Sequence, residues 1–185
     1  MIAYKGFTKD LTARMGHGTF QYEFGKTYTN DAAQCASTGF HCVEEPLRTL
    51  DWYHANGDRY CKVEIGGDIH EDGRDKISCT EITLVKELSM FELALEQCKW
   101  MYRHPMREYS ARVSKEKGES DSCFVIVRGK NPMAAGMKGA HLFLLQEHRK
   151  RKEIVKDASM RLNANKSAYF TIFSQLLKFY FSPSV

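Results

Sequence analysis

The most distinctive stretch of the sequence, Thr38-Gly39-Phe40-His41-Cys42, places a histidine beside a cysteine. An imidazole can activate a neighbouring thiol by taking its proton, which would make Cys42 a nucleophile. Adjacent residues of a strand point to opposite faces, however, so in an extended segment these two side chains do not meet. We therefore predict that His41 is a structural residue held by hydrogen bonds. We predict no catalytic residue, and a catalytic role for His41 remains the minority interpretation.

Acidic residues concentrate in a glycine-rich segment between two strand-like patterns: Asp68, Glu71, Asp72 and Asp75. Hard cations need several oxygen ligands that converge on one point, and this spacing does not match a known calcium loop. A solvated turn is the simplest interpretation of the segment. Its functional alternative is a loop that presents negative charge to a basic partner. We predict neither a metal site nor a cofactor.

Basic residues form two patches in the second half of the chain. Arg103 and Arg107 follow a predicted helix, and a run follows an apolar strand: Arg149, Lys150, Arg151 and Lys152. Side chains of this type neutralise phosphates, and binding of that kind weakens steeply with salt. The patches predict contact with nucleic acid or with a nucleoprotein, while solubility is the alternative reason for them.

The two halves of the chain carry opposite net charge. Residues 1–90 contain ten Lys and Arg against fourteen Asp and Glu, a net of −4, whereas residues 91–185 contain seventeen against nine, a net of +8. These values agree with the formal charge of +4 for all 185 residues. Such asymmetry suggests a nucleic-acid or acidic partner for the basic half.

Composition indicates a folded protein of the cytoplasm. Hydrophobic residues make up 43% of the chain, enough for a core, and no apolar run approaches the roughly 20 residues that a membrane span needs. The first residues lack the pattern of a signal peptide. The six cysteines include no pair separated by two residues, which excludes zinc-ribbon spacing.

Alternating residues predict strands in the first half. Ile2–Phe7 places Ile2, Tyr4 and Gly6 on one face, and Phe20–Phe24 alternates apolar with polar residues. A helix is expected from Pro46 to about His54. Segments 59–65 and 77–88 then predict an antiparallel hairpin with a long loop.

The second half begins with a predicted helix. Ser89 and Glu92 form a capping box, and the helix should run to about Tyr102 with Phe91, Leu95 and Cys98 on one stripe. Short apolar strands follow at 124–127 and 141–145, while 168–181 suits either a strand or a helix.

These patterns predict an α+β fold with a β-rich N-terminal module, a capped linking helix and a β-rich C-terminal module. The expected boundaries are an acidic module at 1–88, the helix at 89–104, a flexible linker at 105–122 and a basic module at 123–185.

A set of motifs in the first 90 residues resembles a family of uncharacterised small proteins from phage and gut-clostridial genomes. Four residues stand for its most recognisable positions: Tyr4, Gly6, Gly39 and His41. The matching segments are Tyr4–Phe7, Phe20–Lys26, Gly39–Cys42, Pro46-Leu47, Trp52-Tyr53, Tyr60–Gly67 and Asp75–Ile77. A weaker match at 136–142 carries Met137 where the relatives have a lysine.

The phage setting of this family, together with the charge asymmetry of the chain, resembles what is found in clostridial type II anti-CRISPR proteins. It implies a non-enzymatic inhibitor that binds a type II CRISPR nuclease in the cytoplasm of a host bacterium and blocks DNA cleavage, with DNA as a further candidate partner and no role for a membrane.

Two alternatives stay open. A faint resemblance to the ADP-ribosyltransferase core implies a pocket around Tyr4, His41 and Tyr53, although no glutamate matches that core's catalytic position. A phage accessory or structural domain without inhibitory activity is the other alternative.

Overall fold

The computed structural model of the protein describes residues 1–13, 19–73, 76–120, 123–148, 153–162, 168–173 and 176–181. The chain divides into two compact units, Met1–Ser89 and Met90–Val185. Each is built on a sheet, and each contains one α-helix within its described residues. The predicted α+β fold is confirmed.

Unit 1 contains a closed antiparallel sheet. Its strands are β1 (Ile2–Phe7), β2 (Thr27–Thr29), β3 (Phe40–Val43), β4 (Arg59–Glu71) and β5 (Lys76–Leu88), in the order β2-β5-β3-β1-β4. Because β4 also pairs with β5, the strands β1, β3, β5 and β4 form a ring. The ring encloses a cluster of buried side chains that includes Ala3, Phe7, Cys61, Val63, Cys79 and Leu84.

The predicted hairpin exists, but its loop is much shorter than expected. Pairing of β4 with β5 continues to Glu71 and Ile77, past an irregularity between Gly66 and Ile69. Gly67 has a φ of +66°, which suits glycine, and the Asp68 amide donates to Thr80 Oγ1 at 2.8 Å. The glycines therefore make a bulge within a strand and do not end it.

The segment Phe20–Phe24 is not a strand, contrary to prediction. It makes two isolated bridges, one to Thr12 and one to Leu84. The Gln21 side chain donates to Asp10 O at 2.7 Å, and Tyr22 is buried between exposed Phe20 and Phe24. The aromatic side chains of this segment pack over the core, although their alternation with polar residues is typical of a strand.

The helix expected from Pro46 is short. A 3-10 turn at Pro46–Arg48 leads into α1 (Thr49–Trp52), and Tyr53 ends it in an extended conformation. Leu47 and Leu50 are buried, as their spacing predicted.

Unit 2 begins with α2 (Met90–Arg103) and continues with β6 (Val113–Ser120), β7 (Phe124–Gly136), β8 (His141–Glu147), β9 (Ile154–Arg161), β10 (Ala168–Phe173) and β11 (Leu176–Phe181). The strand order is β11-β10-β7-β8-β9, and β6 also pairs with β7. The β6–β7 and β7–β8 pairs are parallel. In the ambiguous segment 168–181, the described residues 168–173 and 176–181 are thus two antiparallel strands.

Two details of unit 2 differ from expectation. The segment 105–122, predicted as a flexible linker, contains β6, whose middle residues are exposed while Val113 and Ser120 are buried. Its polar composition suits an exposed strand equally well. On α2, Cys98 is buried as predicted, but Phe91 is 36% exposed and contacts the His141 ring at 4.5 Å.

Among the described residues, no helix combines the length and the apolar character that crossing a membrane would require.

Candidate functional site

Unit 1 contains a cavity of about 530 Å³ where β1 and β3 diverge. These strands pair only at Tyr4 and Val43, whereas β1 pairs with β4 at six positions. The cavity lies beside this gap and is bordered by both strands, by α1 and by the loop before β3. All four residues chosen from the family likeness line it: Tyr4, Gly6, Gly39 and His41.

Lys5 lies in the gap, and sequence reasoning did not identify it. Only 6% of the residue is exposed, and its ammonium donates to His41 O at 2.6 Å, which joins β1 to β3. The ammonium also lies 5.4 Å from the centre of the Phe7 ring and 5.8 Å from that of Tyr22. Burial lowers the pKa of Lys5, because removal from water disfavours the charged form.

His41 holds the loop that borders the cavity. Its Nε2 accepts a hydrogen bond from the Ala36 amide at 3.0 Å, and Ala36 has a left-handed φ of +62°. That conformation costs an alanine about 1 kcal/mol, so the hydrogen bond offsets local strain. Burial lowers the pKa of His41, and the positive charges of Lys5 and Lys76 lower it further.

Cys42 also borders the cavity, but its contacts make the thiol unreactive. It belongs to the core of unit 1, and its thiol forms a hydrogen bond with Cys79. This contact and burial raise the pKa of Cys42 well above its usual value, so the thiol stays protonated at neutral pH. All six cysteines are free thiols.

One side of the cavity is aromatic. The Phe20 ring lies 4.7 Å from that of Tyr22 and 5.7 Å from that of Phe40, both in edge-to-face geometry. At another side the Lys76 ammonium lies 4.1 Å from the centre of the Trp52 ring, within cation–π range.

The charge of this lining is positive. Lys5 and Lys76 line the cavity, and the lining residues within the described ranges include neither aspartate nor glutamate. This contrasts with the net charge of −4 over residues 1–90. Across the described part of the chain, no three His, Cys, Asp or Glu residues come together as metal ligands.

Two glycines make room for this arrangement. A Cβ on Gly6 would lie 2.6 Å from Tyr53 Cγ, and the Tyr53 carbonyl is in turn held by the Tyr60 hydroxyl at 2.8 Å. Gly39 has a φ of +88°, and a Cβ there would overlap Ser78 Oγ and lie 2.9 Å from the Cys79 carbonyl. Close contacts at both positions, and the positive φ at Gly39, therefore explain why glycine occupies them.

The other predicted binding residues lie elsewhere. Asp68, Glu71 and Asp72 are exposed on the β4–β5 hairpin, and Arg103 and Arg107 are exposed at and after the end of α2. The Arg107 guanidinium lies 5.7 Å from the centre of the Trp100 ring. The remaining predicted residues fall outside the described ranges: Asp75, Arg149, Lys150, Arg151 and Lys152.

The chain belongs to the family described as a domain of unknown function, DUF7666, which matches residues 1–96. The match covers the motifs quoted from the first 90 residues and all of unit 1, but not the weaker motif at 136–142, so the cavity lies within the family's part of the chain. No curated protein and no solved structure matches the chain.

Alanine substitutions should separate the steric and the conformational roles of the glycines. Gly6→Ala should lower the free energy of unfolding by about 1–3 kcal/mol through overlap with Tyr53. Gly39→Ala should cost about 3 kcal/mol, because overlap adds to the cost of a left-handed φ. Gly73 is the control, since its φ is +74° and nothing lies near its Cβ position. Urea unfolding in which Gly73→Ala costs as much as Gly39→Ala would contradict this account.

The lowered pKa of His41 predicts a loss of stability in mild acid. Below about pH 6.5 the unfolded chain takes up a proton that folded His41 resists, so the free energy of unfolding falls as the pH falls. One proton accounts for a slope of at most about 1.4 kcal/mol per pH unit. His41→Gln should reduce the measured slope between pH 6.5 and 5, and equal slopes in both proteins would disprove the assignment.

Proposed function

We propose that this DUF7666 protein is a non-enzymatic binding protein that blocks DNA cleavage by a type II CRISPR nuclease in the cytoplasm of a bacterial host. The observation that carries the proposal is the acidic end of the β4–β5 hairpin, where residues 67–73 are all exposed. The resemblance to clostridial anti-CRISPR proteins supplies the identity of the partner.

The hairpin presents its charges on an ordered backbone. Glu71 lies in the last paired position of β4, and the Asp72 carboxylate accepts from the Lys76 amide at 3.1 Å. A preformed surface loses less conformational entropy on binding than a mobile loop does. Ile69, which is 41% exposed beside Asp68, adds apolar area to the same surface.

Charge complementarity supports the choice of partner. RNA-guided nucleases hold their nucleic acids in positively charged channels. An acidic surface is attracted to such a channel and competes there with DNA phosphates. Asp68 and Glu71 are the side chains that we assign to this contact.

The basic residues of unit 2 supply a second, separate contact with DNA. Arg103 and Arg107 are exposed, and the run 149–152 adds four more cations in the sequence. Contact of these residues with DNA phosphates would weaken as salt is added.

The proposal is tested by DNA cleavage with several guide-loaded type II nucleases, with and without the protein. Molar excess of the protein should protect the target DNA from at least one nuclease. The double variant Asp68→Asn, Glu71→Gln should need about tenfold more protein for half-maximal inhibition, which corresponds to ~1.4 kcal/mol of binding free energy.

The matched control is Asp10→Asn with Glu23→Gln, which removes the same charge from exposed residues of unit 1 outside the hairpin. This control should inhibit as the wild type does. Intact cleavage by every nuclease at large molar excess would refute the proposal and favour a phage accessory domain without inhibitory activity. Equal loss of inhibition in both double variants would remove the hairpin from the mechanism.

An ADP-ribosyltransferase-like activity is the second candidate function. One observation favours it: Tyr4, His41 and Tyr53 line the same cavity. Against it, such an enzyme needs a catalytic glutamate, and the described lining residues include no carboxylate.

Incubation of the folded protein with nicotinamide adenine dinucleotide distinguishes this candidate. Release of nicotinamide above the level of a His41→Gln control would support an enzyme. We expect no turnover, measured by chromatography of the nucleotide.

A further inference from the structure

We propose that the cavity of unit 1 is a binding site for a small molecule that combines a planar ring with a carboxylate or phosphate group. The ring would stack or pack against the aromatic side, and the anion would lie among the two lysines. This site is separate from the acidic hairpin, so it does not depend on the function proposed above.

The cavity has the size for such a ligand. Ligand pockets commonly measure about 300–1,000 Å³, and this one measures about 530 Å³. Its lining combines aromatic rings with a few polar groups, as is typical of sites that orient a small molecule.

The anion would pair with the Lys5 ammonium, which has no carboxylate partner among the residues that the structure describes. In the part of the chain that the structure describes, the Lys5 ammonium forms one hydrogen bond, to His41 O, and no ion pair. A buried ammonium can donate three hydrogen bonds and is costly to remove from water without compensation. An anion beside Lys5 would offset that cost; burial lowers the pKa of Lys5, and the neighbouring thiols of Cys42 and Cys79 raise it only in part.

Lys76 extends the same positive region. It lines the cavity, its positive charge acts on His41 together with that of Lys5, and its ammonium rests on Trp52 at 4.1 Å. Both lysines thus act on one region of the cavity. Because the described lining contains two lysines and no carboxylate, its charge disfavours a cationic ligand relative to an anionic one.

The planar part of the ligand is assigned from the aromatic lining. Phe20, Tyr22 and Phe40 pack edge to face, so their arrangement presents ring faces and edges to a planar molecule. Phe20 is 43% exposed although it lies in this cluster, which leaves apolar area for a ligand to cover.

The test is isothermal titration calorimetry of the full chain with two sets of probes. The first set is adenosine monophosphate, adenosine and inorganic phosphate, and the second is indole-3-acetate, indole and acetate. At least one ring-bearing anion should bind at least tenfold more tightly than its neutral ring and than its isolated anion. The set that contains it identifies the anionic group as phosphate or carboxylate.

Variants connect the binding to the site. Lys76→Gln should weaken the binding of that probe at least fivefold, and Lys5→Met should weaken it at least tenfold. Lys9→Gln is the matched control, because Lys9 is exposed in the same unit and does not line the cavity; it should bind as the wild type does. Thermal unfolding shows whether Lys5→Met is folded. If it is not, the affinity of Lys76→Gln for the probe is the measurement that tests the site.

Three results would overturn the proposal. They are the absence of binding by both ring-bearing anions, a neutral ring that binds as tightly as its charged parent, and an affinity that Lys76→Gln leaves unchanged.

Discussion

The buried ammonium of Lys5 is the constraint on which the architecture of unit 1 depends. A charge without water must be hydrogen-bonded, and here the acceptor is the His41 carbonyl on the neighbouring strand. The bond joins β1 to β3 just beyond Tyr4 and Val43, their single paired position. In a fully paired ladder the His41 carbonyl would face a backbone amide of β1; here it accepts from Lys5, so the interrupted pairing, the buried lysine and the cavity beside them belong to one arrangement.

The residues around Lys5 serve this arrangement in different ways. His41 contributes its backbone to Lys5 and its imidazole to the strained loop at Ala36. Gly6 admits the Tyr53 ring against β1, and Gly39 supplies a backbone conformation that other residues avoid. In this chain the motif positions therefore pack closely around a cavity, which explains why glycines and aromatic residues occur together there.

Unit 1 carries two surfaces of opposite sign. The exposed end of the β4–β5 hairpin is acidic, whereas the cavity between β1 and β3 is positive. A protein partner and a small anion would thus be recognised by different residues, and substitutions can remove one recognition without the other. Cys42 and Cys79 lie in the core and contribute packing there. Contact with Cys79 and burial raise the pKa of Cys42, whereas the hydrogen bond with Cys42 and the positive charge of Lys5 lower the pKa of Cys79.

The sequence by itself determined the elements whose signal is local. Alternation predicted β1, β4 and β5, the capping box predicted the start of α2, and the family motifs named four residues that do line one cavity. It gave no sign that Lys5 is buried, which follows because β1 is buried on both faces, by the core on one side and by α1 and Tyr53 on the other. Only the tertiary structure decided the burial of Lys5. Strands pair through residues that lie far apart in the chain, and the local periodicity of apolar residues does not predict which strands become neighbours.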